Sequence, residues 1–255
     1  MQKESDTHLP LITVITVVYN AASLIERTLK SVKAQTYPNI EHLIVDGLSK
    51  DQTLSEVEKY ARPMLCVISE KDNGIYDAMN KGQALANGEF ILFLNAGDEF
   101  YGNDVLENML KAGFESDVYY GNTMVVDEEG IELGTRRLQP PVRLTWQSLQ
   151  MGMCVSHQSL LVRKSICVSY DLQYKISADI DWTIRVLKST KKVVNTKIIV
   201  SKFLLGGVST SRRKQGLNER LAIMVHHYGW FRTAVNHGLI ALRFVWHRIT
   251  RKSMT

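Results

Sequence analysis

The sequence predicts an α/β fold: a mostly parallel sheet flanked by helices, then an α+β half and a helical, basic C-terminal tail. Three observations carry this. Short apolar runs rich in β-branched residues alternate with amphipathic stretches of helical length through the first hundred residues. From residue 117 the alternation gives way to two strand-like runs around a turn. Beyond residue 201 the charge changes sign: residues 202–255 hold ten Lys and Arg against one acid, Glu219, whereas residues 1–201 hold 21 Lys and Arg against 25 acids. The net charge of +5 is therefore a property of the tail.

Residues 11–19 (LITVITVVY) read as a central strand covered on both faces, because the run is apolar without alternation. A helix follows Asn20, with Ser23 and Glu26 at capping-box spacing and Ile25, Leu29 and Val32 on one face. The cycle repeats with a strand at 41–47, a helix at 51–60 and a strand at 64–70. After the Asp72-Asn73-Gly74 turn comes a helix whose expected buried face is Ile75, Met79, Gly82 and Leu85, closed by Asn87-Gly88. A strand at 89–95 completes the first half. Residues 117–138 read as a hairpin around Asp127-Glu128-Glu129-Gly130, and 178–189 as a helix buried through Ile180, Ile184 and Leu187. A strand at 192–205 precedes Gly206-Gly207 and a helical remainder.

With 45% apolar and 22% charged residues the chain is globular in composition, and no apolar run reaches the length of a spanning helix. Cys66, Cys154 and Cys167 are odd in number and far apart, so a reducing cytoplasm is the expected compartment. The tail mixes Trp230, Phe231, Phe244 and Trp246 with Arg232, Arg243, Arg248, Arg251 and Lys252, which suits an anionic membrane surface at the inner face of the cell membrane or a helix packed on the domain. Nucleic acid is not expected as a partner, since nothing but the tail is basic.

Ligands of an open parallel sheet bind beyond the carboxyl ends of its strands. The polar residues there are Asn20, Asp46, the turn at 70–73 and the turn at 95–98. Neither G-x-G-x-x-G after the first strand nor G-x-x-x-x-G-K occurs, so a glycine-rich phosphate cradle is excluded. A divalent cation held by a carboxylate is another way to neutralise phosphates, and Asp98, at the end of FILFLNAGD, is the expected ligand.

ITVVYN, IVDGLSKDQT, SEKDNGIYDAMNKGQALANGEFILFLNAGDEF, SHQ, YDLQYKISAD and GGVST together resemble the inverting family-2 glycosyltransferases of the GT-A fold, most closely the branch that builds bacterial exopolysaccharides such as colanic acid. The resemblance implies a nucleoside-diphosphate sugar donor, a glycan or lipid-linked glycan acceptor and a divalent cation, Mg²⁺ or Mn²⁺. It divides the chain into an arm (1–10), a GT-A domain (11–211, with a nucleotide-sugar half at 11–116 and an acceptor half at 117–211) and a basic extension (212–255). It further implies that Val18, Tyr19 and Asn20 line the base pocket, that Asp46 binds base or ribose, and that Asp72, Asn73 and Gly74 close over the donor. Asp98 corresponds to the last acid of the metal-binding acidic motif and would hold the cation, and Asn95 would contact the nucleotide-sugar; this sequence has Asn95 and Gly97 where acids are commoner. Asp179 matches the general base, with Ala178 in place of the usual preceding Glu; Asp179 and Asp181 also stand where acids complement a helix N-terminus. Asp181, two positions on, is expected to turn away and to tolerate substitution. Arg212 and Arg213 would clamp the diphosphate or belong to a basic surface, and His157 would meet the acceptor sugar or sit in the core. A glycan- or nucleotide-binding module with a decayed site is the alternative reading.

Overall fold

The structure, a computed structural model, describes residues 9–113, 115–206 and 212–239, with the Arg213 side chain excepted. Strand β1 (Ile12–Val18) is buried along its whole length, as its unbroken apolar run requires. Ile15 and Val17 face a core shared with Met79, while Ile12 and Val14 face a second one with Phe90 and Leu92. Helix α1 (Ala22–Lys33) covers that second side through Ile25, Leu29 and Val32. The expected capping box is not formed: Ser23 lies inside the helix, and Glu26 pairs instead with Lys30 and the Tyr60 hydroxyl. Asp51 and Thr53 of the next loop accept from the Ala22 and Ala21 N–H groups, because parallel neighbours bring successive strand-end loops together.

Strands β2 (Ile40–Asp46) and β3 (Leu65–Ser69), joined by α2 (Thr53–Glu58), extend the parallel sheet on one side, and β4 (Phe90–Phe93) on the other. Helix α3 (Ile75–Leu85) buries Tyr76, Ala78, Met79 and Gly82. The expected face holds at Met79 and Gly82, which pack on the sheet, but Ile75 and Leu85 at the two ends of the helix are exposed. A Cβ at Gly82 would stand 2.6 Å from Ile15 Cγ2, so the close approach depends on glycine.

Beyond β4 the sheet changes character. Its order is β3-β2-β1-β4-β8-β6-β9-β5, with β7 paired to β6. The hairpin of β6 (Val118–Val126) and β7 (Glu132–Thr135) stands as the turn residues predict. Strand β9 (Val193–Leu204) lies parallel to β6 and pairs with the short β5 (Glu99–Phe100). Strand β8 (Leu160–Arg163) is inserted antiparallel between β4 and β6, and α4 (Val105–Lys111) packs nearby; sequence reasoning missed both, as it missed β5.

Helix α5 (Ala178–Ser189) has the predicted bounds and buries Ile180, Ile184 and Leu187. Helix α6 (Arg213–Tyr228) places its Ile223, Met224 and Tyr228 in the largest core together with residues of both halves. Asp181 is likewise not a tolerant surface acid. It is buried, with Oδ1 2.7 Å from His227 Nε2 on α6 and Oδ2 receiving Arg185 Nε at 2.7 Å. Helical backbone continues over 230–239, where Trp230 and Phe231 are 72% and 75% exposed. Phe244, Trp246 and the basic residues from 243 onward lie outside the described residues.

Candidate functional site

The carboxyl ends of β1, β2 and β3 form one side of the site. Val18 and Asp46 are register partners there, both buried, while Tyr19 is 60% exposed. Gly47 lies between Tyr19 and Asp72: a Cβ on it would be 3.4 Å from Tyr19 Cδ2 and 3.0 Å from Asp72 Oδ2. This leaves a flat backbone floor between an aromatic ring and a carboxylate. Asn20 has a φ of 49°, a left-handed conformation that Asn tolerates. Its N–H donates to Ser49 Oγ and its Oδ1 accepts from Lys50 N–H, both at 2.8 Å. Asp46 lies beneath this floor, accepting from Ser69 Oγ at 2.6 Å, from Ser49 N–H and from Ser49 Oγ. Its carboxylate thus organises the loop after β2 in this structure. Lys81 of α3 donates to Asp72 Oδ1 at 2.6 Å and lies 2.9 Å from Glu70. The Asn73 N–H donates to Asp77 Oδ2 at 2.8 Å, and Gly74, at φ 118°, starts α3. The Asn73-Gly74 turn faces Leu172, Tyr174 and Lys175 across a narrow cleft.

The second side gathers at the end of β4. Its floor is aromatic: Tyr76 stacks on Tyr170 and Tyr170 on Trp182, with the Phe93 ring edge-on to Tyr170, Trp182 and His157. On this floor His157 Nδ1 is 3.7 Å from Asp179 Oδ2, and His157 Nε2 is 3.4 Å from Asn95 Nδ2. The Tyr76 hydroxyl is shared between Ile176 O (2.9 Å) and Asp179 Oδ1 (3.3 Å). Asp179 has a side chain 25% exposed at the start of α5. Burial pushes its carboxyl up, but the His157 imidazole and the Arg220 guanidinium pull harder the other way and hold it below the usual carboxylate range. It is a reachable, ionised base at neutral pH.

Asp98 ends the turn that begins at Asn95 and is almost fully buried. Oδ2 accepts from Gln158 Nε2 at 2.9 Å and Oδ1 from Leu204 N–H at 3.0 Å. Burial pushes its carboxyl up to about 6, against these two donors. Gly97 explains the absence of an acid beside it: φ is 96°, and a Cβ would stand 2.8 Å from Leu204 Cδ2. The structure therefore brings together Asn95, Asp98, His157 and Asp179, with Tyr76 joining them to the Asn73-Gly74 turn. Arg212 is exposed at the start of α6, outside this hydrogen-bonded cluster.

The family model for glycosyl transferase family 2 matches residues 13–167. The chain belongs to glycosyl transferase family 2. An uncharacterized glycosyltransferase of Mycobacterium tuberculosis (strain ATCC 25618 / H37Rv) is 31% identical over 216 residues, covering 81% of this chain and 79% of that one. A PGL/p-HBAD biosynthesis glycosyltransferase of Mycobacterium bovis (strain BCG / Pasteur 1173P2) is 30% identical over 213 residues, covering 79% and 80%. Among solved structures, S. aureus TarS 1–349 in complex with UDP superposes with a TM-score of 0.66 at 19% identity, over 84% of this chain and 64% of that one. The mannosyltransferase PcManGT of Pyrobaculum calidifontis, in complex with GDP-Man and Mn²⁺, gives 0.59 at 19% identity, over 94% and 76%. The fold of this glycosyltransferase is thus GT-A, an α/β sheet with a parallel nucleotide-side half, flanked by helices.

For a divalent cation the glycosyltransferase offers a small donor set. No group of three His, Cys, Asp or Glu is placed to hold a metal among the described residues. At the 95–98 turn, however, Asn95 Oδ1 is buried without a hydrogen-bond partner, and each Asp98 oxygen, accepting one bond, keeps a second lone pair. One carboxylate and one orphaned amide oxygen fit a cation whose remaining positions are filled by phosphate oxygens and water. Sequence reasoning did not single out Tyr76, Lys81, Gln158, Arg220 or Glu219 of this glycosyltransferase. Tyr76, Lys81 and Gln158 lay inside motifs already quoted, and Glu219 was visible as the lone acid of the tail.

Proposed function

We propose that the chain moves one sugar from a nucleoside-diphosphate sugar to a hydroxyl of a growing bacterial surface glycan, free or lipid-linked, with inversion at the anomeric carbon. The observation that carries this reading is Asp179, a reachable carboxylate held ionised beside His157 at the head of α5. As the acceptor oxygen bonds to the anomeric carbon, its proton passes to Asp179. The bond from that carbon to the diphosphate oxygen breaks, and its electron pair leaves with the diphosphate. Attack from the face opposite the leaving group inverts the centre. A positioned base of this kind contributes about 10²- to 10⁴-fold.

In this reading Val18, Tyr19 and Asn20 line the nucleobase pocket, while Asp46 shapes it through the loop after β2 and supplies base or ribose contact if Ser49 or Ser69 yields. Asp72, Asn73 and Gly74 close over the donor, Arg212 meets the diphosphate, and His157 donates to the acceptor sugar. Asp98 and Asn95 Oδ1 would hold Mg²⁺ or Mn²⁺, which when bound supplies positive charge to the departing diphosphate. Support for the donor class comes from the neighbours' complexes with UDP, UDP-GlcNAc and GDP-Man. Asn95 and Gly97 favour a second reading, a non-catalytic binding module; the joint presence of Asp46, Asp98 and an ionised Asp179 weighs against it.

Calorimetry with UDP-N-acetylglucosamine and GDP-mannose, each with Mg²⁺, with Mn²⁺ and with EDTA, tests the donor. Because the site supplies one negative charge, the metal is expected to bind tightly only together with the nucleotide. Release of nucleoside diphosphate, with water as acceptor, then tests turnover. Asp179→Asn should bind the donor as the wild type does and release product about 10²- to 10⁴-fold more slowly. Donor binding without turnover in the wild type would establish the module instead, and equal turnover in EDTA would remove the cation.

A further inference from the structure

The basic segment from residue 212 was expected to meet anionic partners, yet its one acid is turned inward. Glu219 of α6 accepts three backbone N–H groups from the segment that enters α5: Lys175 on Oε1 at 3.0 Å, and Ile176 and Ser177 on Oε2 at 2.8 and 2.9 Å. Gln215, one turn earlier, donates to Oε1 at 2.9 Å and steadies the carboxylate. The same backbone is held from the other side by the Tyr76 hydroxyl on Ile176 O, and Ser177 Oγ donates to Gly216 O at 3.2 Å. Gly216 allows this approach, since a Cβ there would be 3.1 Å from Ile176 Cγ2. Gly216, Glu219, Ile223 and His227 recur at helical spacing, so one face of α6 grips α5 both at its entrance and, through His227 and Asp181, within its first turn. Asp179 lies between the two grips.

We infer that Glu219 is a positioning residue for the transfer reaction, holding residues 175–177 by their backbone so that Asp179 meets His157 and the acceptor at the right place. The inference rests on the reading of Asp179 as the base. Hydrogen bonds to a charged carboxylate are the strong ones, and three on one carboxylate fix the loop more firmly than its own contacts would.

The test compares Glu219→Gln and Glu219→Ala with the wild-type chain, using nucleoside diphosphate release from UDP-N-acetylglucosamine or GDP-mannose with water as acceptor. Misplacement by about 1 Å costs on the order of 10²-fold, so kcat should fall about 10- to 100-fold in Glu219→Ala and less in Glu219→Gln, which keeps one accepting oxygen. Calorimetric affinity for the nucleoside diphosphate should stay within about twofold, because the grip does not contact the base pocket. The acid limb of the kcat profile should move to higher pH as Asp179 drifts from His157 and Arg220, a change that loss of folded protein does not produce. Amide exchange at 175–177 should speed up in both variants. Wild-type kcat and acid limb in Glu219→Gln and in Glu219→Ala would overturn the inference, as would losses matched by the loss of donor affinity. A wild-type chain that binds donor but releases nothing would overturn the underlying reading, a result distinct from active variants.

Discussion

At the scale of single residues, the site turns on two nearby carboxylates whose surroundings push them in opposite directions from the ordinary carboxylate range. Asp98 is buried and Asp179 partly so; His157 and Arg220 hold Asp179 below the usual carboxylate range, whereas burial pushes Asp98 up to about 6. The difference is the balance against burial: at Asp179 the adjacent His157 and Arg220 outweigh it, while at Asp98 an amide, a backbone N–H and the charges of His157 and Arg27 do not. Removing the imidazole should therefore be visible in the pH dependence. In His157→Gln the influence that depresses the Asp179 pKa is lost, so the carboxylate protonates at higher pH and the acid limb of kcat moves upward. A pH profile of nucleoside diphosphate release under saturating donor checks this; an unmoved limb would detach His157 from the base. Asp179 was a candidate from the motif SADIDW, but its partners were not legible there, because Tyr76 and His157 lie 103 and 22 positions away in the chain.

Among the elements, the packing of α6 on α5 is where reading by local pattern misled most. Two positions along a helix do turn a side chain away from the first, and Asp181 does point away from Asp179. It points into a buried contact with His227 and Arg185 instead of into solvent. Burial pushes the Asp181 carboxyl up, but these two partners outweigh it, so the folded pKa lies below the ordinary value. Such a group contributes stability above its unfolded pKa, near 4, and loses that contribution as the pH falls through its folded pKa. Asp181→Asn should accordingly lower stability by about 3 kcal/mol at pH 7, since one partner of a buried pair is removed. The gap to the wild type should narrow as the pH drops below about 4. Denaturant unfolding at several pH values measures it; a gap that is constant with pH would mean the pair is not ionic.

For the whole molecule, the open question is what covers the end of the chain. No helix among the described residues is long and apolar enough to cross a membrane. Trp230 and Phe231 stand exposed just past α6, with Val235 and Leu239 half-exposed beyond them and Arg232 alongside. Aromatic and basic residues at one helix surface suit an anionic lipid interface. Flotation should therefore carry the full chain with phosphatidylserine-containing vesicles and leave it behind with neutral ones. Trp230→Ala with Phe231→Ala should abolish the difference while Asp179-dependent turnover in solution is unchanged. Equal flotation with both vesicle types would rule out the lipid interface.

The sequence by itself determined the four parallel strands β1 to β4 with the helices between them, the bounds of α5 and the polar residues at the strand ends. These follow from local chemistry: a strand buried on both faces must be apolar throughout, and a crossover must bring the next strand end to the same edge. Only the tertiary structure decided that β8 enters antiparallel between β4 and β6, and that insertion carries His157 to Asn95 and Gln158 to Asp98. It also decided that Asp46 lies under the pocket, that α6 joins the core, and that the lone acid of a basic segment grips the approach to Asp179. Each of these depends on pairing between residues distant in the chain, to which the periodicity of either segment alone is blind.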